Sequence, residues 1–453
     1  MNGRLSALDD SFLAVESANA HMHVGWAARF APPENGSRPS FTDLRDHIEG
    51  RLCRAPRYRQ KIAPTPLGLN APIWVDDESF DVGRHVLESD AAQLSDLVDS
   101  CMSAQLPRDR PLWQICVAAR LEDGSIGVVG KAHHCMVDGI AAVELASLLL
   151  DPTPDPPPTN GEGWRPRRAP GTAQRLIGGV TDRLSQGASL AAFPFRLVRS
   201  PGRLTEVGAV GRAARALQHA LRPVKPVAPL NKPISPARHL AWLERPLDDL
   251  KRIGREFEVT VNDALLATAA GGMRRYFKEH DQEPAPLKAM VPVNLRPSGE
   301  EDQLGNRISF LFMDLPCDEP DAVRRLRTVH LEMSERKESG EPEGANAALS
   351  AAQYLPRTLQ HATSRLMASP RTFNLTVSNI PGPPETMYMH GCELEAAYPV
   401  VPIADEHALS IGMTTIHDRA CFGLYAARDA LPDADRLAQG VEASIDELLE
   451  LIW

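Results

Sequence analysis

The sequence predicts an α/β protein built in two halves. Strand-like and helical stretches alternate through the first 150 residues, the alternation resumes near residue 239, and a proline-rich, basic passage separates the two. At 453 residues the chain is longer than one ordinary core supports, which also favours two domains. The boundaries fall at 1–150 for the first half, 151–237 for the connection and 238–453 for the second half.

Each element has a local reason. Residues 22–30 read as a strand, and 41–52 as a helix whose first turn Ser40 can cap. Leu94, Leu97, Val98, Cys101 and Met102 recur at helical spacing within 92–106. Residues 113–121 and 126–133 read as two strands joined by Glu122-Asp123-Gly124-Ser125, in which Asp-Gly favours a hairpin turn. An apolar helix over 139–150 follows, and Asp138 can cap it. The prolines of 151–158 end that helix, because each lacks an N–H and restricts the residue before it. A second proline-rich passage runs over 222–236. Residues 259–276 then read as a helix with Asn262-Asp263 at its start and a small-residue face over 267–272. Strands are predicted at 289–293, 308–312, 373–378, 408–414 and 420–425, and an amphipathic helix over 432–449 closes the chain.

Composition narrows the class. Hydrophobic residues make up 43% and charged residues 24%, as in globular proteins rather than disordered ones. Seven scattered cysteines without framework spacing favour a reducing compartment. The first ten residues lack the apolar core of a signal peptide, and no apolar run reaches membrane-spanning length, so a cytoplasmic or peripheral protein is expected. The net charge of −10 hides an asymmetry. Between residues 164 and 225 twelve basic residues face only Asp182 and Glu206, a local excess of +10 that leaves −20 on the rest. Apolar residues interleave with these arginines, notably over 190–199, which suits a membrane surface better than a nucleic-acid groove; an ordinary solvated helix pair is the other reading.

The chemistry concentrates in His133-His134-Cys135-Met136-Val137-Asp138-Gly139. An imidazole titrates near neutrality and can take a hydroxyl proton, as acyl transfer to an alcohol requires. Adjacent strand residues point to opposite faces, so one histidine faces a cavity and the other a core, and the two do not make a metal pair. No HExxH or CxxC occurs, and no metal site is expected. Cys135 matches no cysteine-hydrolase signature, and there is no GxSxG elbow for a serine nucleophile. Asp138 can orient an imidazole or start the following helix, and Gly139 permits a tight turn.

Placed in order, these residues resemble the wax ester synthase/diacylglycerol acyltransferase family, relatives of chloramphenicol acetyltransferase and of condensation domains. The resemblance runs through Leu8-Asp9-Asp10-Ser11-Phe12-Leu13, Met22-His23-Val24-Gly25, Pro111-Leu112-Trp113, the HHxxxDG heptapeptide, Asn262-Asp263, Val291-Pro292-Val293-Asn294-Leu295-Arg296, Gly305-Asn306-Arg307 and Ser378-Asn379-Ile380-Pro381-Gly382-Pro383. One departure is Arg120, where the family usually has glycine seven residues after the tryptophan of its PLW motif. The resemblance implies two chloramphenicol-acetyltransferase-like domains, each a mixed sheet with helices, and an active site in a tunnel at their interface. It implies His134 as general base in esterifying diacylglycerol or a long-chain alcohol with a fatty acyl-CoA, without a covalent acyl-enzyme. Acyl-CoA is then a substrate, and no cofactor is expected. His133, Asp138 and Gly139 complete the catalytic loop, with Asp138 structural or orienting. Asn262, Asp263, Ser378 and Asn379 become candidates for substrate binding. The basic connection becomes a contact to the inner face of a membrane or to a lipid body. A carrier-protein-dependent condensation enzyme and an inactive lipid-droplet-binding relative are the alternatives. Nothing in the sequence points to nucleic acid, and the oligomeric state stays open.

Overall fold

A computed structural model describes residues 3–33, 37–68, 70–136, 149–155, 164–176, 211, 218–219, 221–294, 308–352 and 355–452. In chain order the first half forms α1 (Ala7–Val15), β1 (His23–Ala31), α2 (Phe41–Arg51), β2 (Gln60–Ala63), β3 (Ile73–Asp76), β4 (Val86–Glu88), α3 (Leu94–Ser103), β5 (Trp113–Ala118) and β6 (Ile126–His133). The second half forms β7 (Arg238–Pro246), α4 (Leu247–Glu256), α5 (Val261–Glu279), β8 (Leu287–Asn294), β9 (Ile308–Leu315), α6 (Ala322–Glu338), α7 (Glu341–Ala352) and α8 (Arg357–Met367). It continues with β10 (Leu375–Ile380), β11 (Tyr388–Met389), β12 (Cys392–Val400), β13 (Leu409–Ile416), β14 (Arg419–Ala427) and α9 (Ala434–Leu449).

Two six-stranded mixed sheets result, ordered β11-β12-β1-β6-β5-β4 and β7-β14-β13-β10-β8-β9. The boundary drawn from sequence does not separate them. β11 and β12 come from the second half of the chain but belong to the first sheet, where β12 pairs antiparallel with β1 from Gly25↔Val400 to Ala31↔Glu393. Without that crossover β1 would present an open sheet edge. The crossover also packs onto the second sheet. Gly423 of β14 lies so close to the Pro399 carbonyl that a side chain there would overlap it, so only glycine lets the two backbones meet. Trp242 stacks on Tyr398 at 5.1 Å, and Arg29 of β1 bridges Glu395 of β12 and Glu244 of β7. On the other side of the interface, buried Asp99 of α3 accepts from His239 Nδ1 at 2.9 Å and from Arg428 Nη2 at 2.8 Å.

β6 is buried at every position, including its lysine. Lys131 satisfies its ammonium by donating to the Cys101 and Ala104 carbonyls at 2.5 Å each, the orphan acceptors where α3 ends. Trp113 anchors the neighbouring strand. It is 1% exposed, its Nε1 donates to the Tyr58 carbonyl at 2.7 Å, and His85 stacks on its ring at 4.6 Å. Arg120 follows β5 as an exposed residue, so the departure from the PLW pattern touches only the surface of a turn. Asp138, Gly139, most of the predicted helix 139–150, most of the basic passage, and Leu295, Arg296, Gly305, Asn306 and Arg307 lie outside the described residues.

Candidate active site

His134 follows the last residue of β6, at the mouth of the crossover. Antiparallel pairing of β6 with β1 puts His133 level with His23. The turn is pinned through its backbone: His133 N–H donates to the Leu112 carbonyl at 2.9 Å, His134 N–H to the Met22 carbonyl at 2.9 Å, and Met136 N–H to the His133 carbonyl at 2.8 Å. The carbonyl that holds His134 belongs to a strained residue. Met22 precedes β1 with φ 51°, a left-handed conformation that costs a side-chain-bearing residue roughly 1 kcal/mol or more. The sequence reading placed Met22 inside the strand; the reversal of φ instead turns its carbonyl toward the motif.

The two histidines differ as alternation requires. His133 is 1% exposed, and its Nδ1 accepts from Cys135 N–H at 3.1 Å. Its Nε2 lies 3.6 Å from Glu16 Oε2, and Glu16 is ion-paired to Arg108. Burial first, and the Arg108 charge second, push His133 down to about 3, so it stays neutral at working pH and builds the loop. His134 is only partly buried, and its ring lies face to face with Phe12 of α1, centroids 3.7 Å apart and planes within 10°. Cys135 is 2% exposed, and burial together with the Asp9 and Asp10 charges pushes its thiol far above the ordinary range. A thiol held protonated is no nucleophile.

α1 brings these pieces together. Ser6 and Asp9 form a capping box at its start. One turn apart on one face, Phe12 meets His134 and Glu16, just past the helix, meets His133. One turn apart on another face, Asp10 and Ala14 meet α8: Asp10 accepts from Arg357 Nε at 2.7 Å, Arg357 Nη2 at 2.8 Å and His361 Nε2 at 2.8 Å, and Ala14 O accepts from Arg365 Nε at 3.0 Å. Phe12, Met22, Glu16 and Arg357 were not singled out by sequence reasoning. Only the resemblance carried a signal, through the Leu8–Leu13 stretch for Phe12 and the Met22–Gly25 stretch for Met22.

The remaining candidates divide. Asp263 sits at the third position of α5, where its Oδ2 accepts from Thr260 N–H at 3.0 Å and faces His330 Nδ1 at 2.8 Å. That oxygen is engaged at the helix start. Thr260 is the capping residue, and Asn262, the second residue of α5, is half-buried. Ser378 is buried on β10 level with Gly412, and Asn379 is exposed level with Met413. Gly412 packs on Pro399 and Val401 at the end of β12, whose Val400 is level with Gly25 of β1. Ser378 and His134 are thus joined across the crossover by adjacent strands. Gly382, just beyond β10, touches the Thr415 carbonyl so closely that no side chain fits, which fixes the proline-rich turn. Among the described residues no cluster of three or more His, Cys, Asp or Glu could hold a metal ion.

Comparison with known proteins gives a consistent match. Residues 5–265 match the wax ester synthase/diacylglycerol acyltransferase catalytic domain, and 304–449 match the WS/DGAT C-terminal domain. A probable diacylglycerol O-acyltransferase of Mycobacterium tuberculosis is 31% identical over 99% of this chain and 96% of its own. The wax ester synthase/diacylglycerol acyltransferase from Marinobacter aquaeolei VT8 superposes with a TM-score of 0.70 at 26% identity, covering 99% of each chain. The trichothecene 15-O-acetyltransferase of Fusarium sporotrichioides, at 10% identity and a TM-score of 0.65 over 98% of this chain and 94% of its own, shares the fold.

Proposed function

Because the chain belongs to the wax ester synthase/diacylglycerol acyltransferase family and is an O-acyltransferase, we propose that it esterifies diacylglycerol or a long-chain alcohol with a fatty acyl-CoA, and that His134 is the general base. A ring nitrogen of His134 takes the hydroxyl proton as the alcohol oxygen attacks the thioester carbonyl. The same proton then goes to the departing thiolate of CoA. No acyl-enzyme forms and no cofactor enters. The buried Cys135 thiol, kept protonated by burial, supports this reading by removing the cysteine beside His134 as a nucleophile. The Asn262 amide is the donor assigned to the developing oxyanion, and Ser378 and Asn379 are the further candidates for substrate binding. The hydrophobic acceptor reaches the site from a membrane or lipid body, to which the basic segment 164–225 offers a positive, partly apolar contact. Among the described residues no helix is long and apolar enough to cross a membrane.

The single observation that carries the assignment is the pinned backbone and stacked ring of His134. Its test is His134→Ala, assayed for thiol release from acyl-CoA in the presence of diacylglycerol or hexadecanol. Turnover is expected to fall by at least 100-fold. Activity retained within a few-fold removes the base assignment, and a wild-type protein silent with free acyl-CoA points to a carrier-bound donor.

A further inference from the structure

α1 is a bracket between the motif and the opposite half of the chain, and its ring contact has a chemical consequence. A phenyl face 3.7 Å from an imidazole face, with planes within 10°, restrains the torsion that aims the ring nitrogen. That face is also the negative side of an aromatic quadrupole. It therefore favours the imidazolium over the neutral ring. General-base catalysis creates that imidazolium in the transition state.

We infer that Phe12 is a positioning residue for His134, fixing the plane of its ring and stabilising its protonated form, and that the Asp10–Arg357–His361 latch holds Phe12 in place from the other half of the chain. The inference rests on the reading of His134 as base. Asp10 is fully buried, and the fork of Arg357 takes both its oxygens while His361 shares one. α1 is further tied through Ala14 to Arg365 and through Glu16 to Arg108 and to Gln105, whose Nε2 donates to Glu16 Oε1 at 2.9 Å. These ties fix the backbone of α1, and with it the point from which the Phe12 ring reaches the imidazole. Joining the base to α8 in this way makes its orientation depend on correct seating of the two halves.

Among the described residues, the charged and titratable groups around this turn are Asp9, Asp10 and Glu16 of α1 with Arg57, Arg108, His133 and Cys135 beside them. Phe12→Leu changes none of these charges. It is expected to lower kcat about ten-fold with KM for acyl-CoA unchanged. It is also expected to move the acidic limb of kcat/KM down by about half a pH unit, because loss of the ring face disfavours the imidazolium. Phe12→Tyr keeps the ring and should keep the wild-type limb. If Phe12→Leu fails to fold, by circular dichroism, Phe12→Met replaces it with a side chain that has no ring face. Arg357→Lys keeps the charge but breaks the fork, and should lower kcat with the same shift of the limb. The double variant Phe12→Leu/Arg357→Lys should be no worse than Phe12→Leu alone, since the latch acts through the ring. Folded Phe12 variants with wild-type kcat and limb overturn the positioning role, and additive effects in the double variant overturn the latch. An active His134→Ala overturns the base assignment instead, so the two failures are distinct.

Discussion

Trp113 makes a sharp prediction, because it belongs to the family's PLW motif and yet lies wholly in the core. Trp113→Phe removes the pyrrole edge of the indole and its N–H. The lost apolar volume, equivalent to about two methylenes, costs about 1.6 kcal/mol at ~0.8 kcal/mol each. Orphaning the Tyr58 carbonyl, which accepts from Nε1 at 2.7 Å, costs about 1.5 kcal/mol more. The whole is about 3 kcal/mol. For 453 residues, at ~2.1 cal/mol/K of unfolding entropy per residue, this lowers Tm by about 3 °C. Differential scanning calorimetry reads the shift, and steady-state kinetics well below the transition should find kcat and KM within two-fold of wild type. A variant with unchanged Tm and a ten-fold loss of kcat would refute the reasoning and make the motif part of the substrate site.

Two further predictions concern titration and reactivity. The Asp99 hydrogen bond, then Asp435, hold His239 above its ordinary 6.5. Its contribution to stability is therefore complete below 6.5 and is lost as pH rises through the raised folded value. Melting temperatures followed upward from about pH 6 should show a decline that disappears in His239→Gln; an identical pH slope in the variant would remove this linkage between the halves. Cys135→Ala should retain turnover within about three-fold and leave the protein insensitive to added thiol reagents at that position. A loss of 100-fold or more, in a folded variant, would restore the cysteine as nucleophile.

Much of this protein was legible in sequence because it depends on local spacing. The Ser40 cap, the Asp123-Gly124 hairpin with Gly124 at φ 83°, the β6 strand ending at His133 and strands β8, β9, β10, β13 and β14 follow from turn chemistry and two-residue alternation. The unlike fates of His133 and His134 follow from the same alternation. The heptapeptide by itself determined acyl transfer as the chemistry to test, and its order with Pro111-Leu112-Trp113 and Ser378-Asn379-Ile380-Pro381 determined the family. What only the tertiary structure decided depends on residues hundreds of positions apart. Sequence spacing has no access to the return of β12 to pair with β1, which divides the chain differently from its proline-rich connection. The stacking of Phe12 on His134 and the latching of Asp10 by Arg357 belong to the same class. Such contacts arise from how buried charges and ring faces find partners once the sheets have closed, and that is settled by packing, not by the order of residues along the chain.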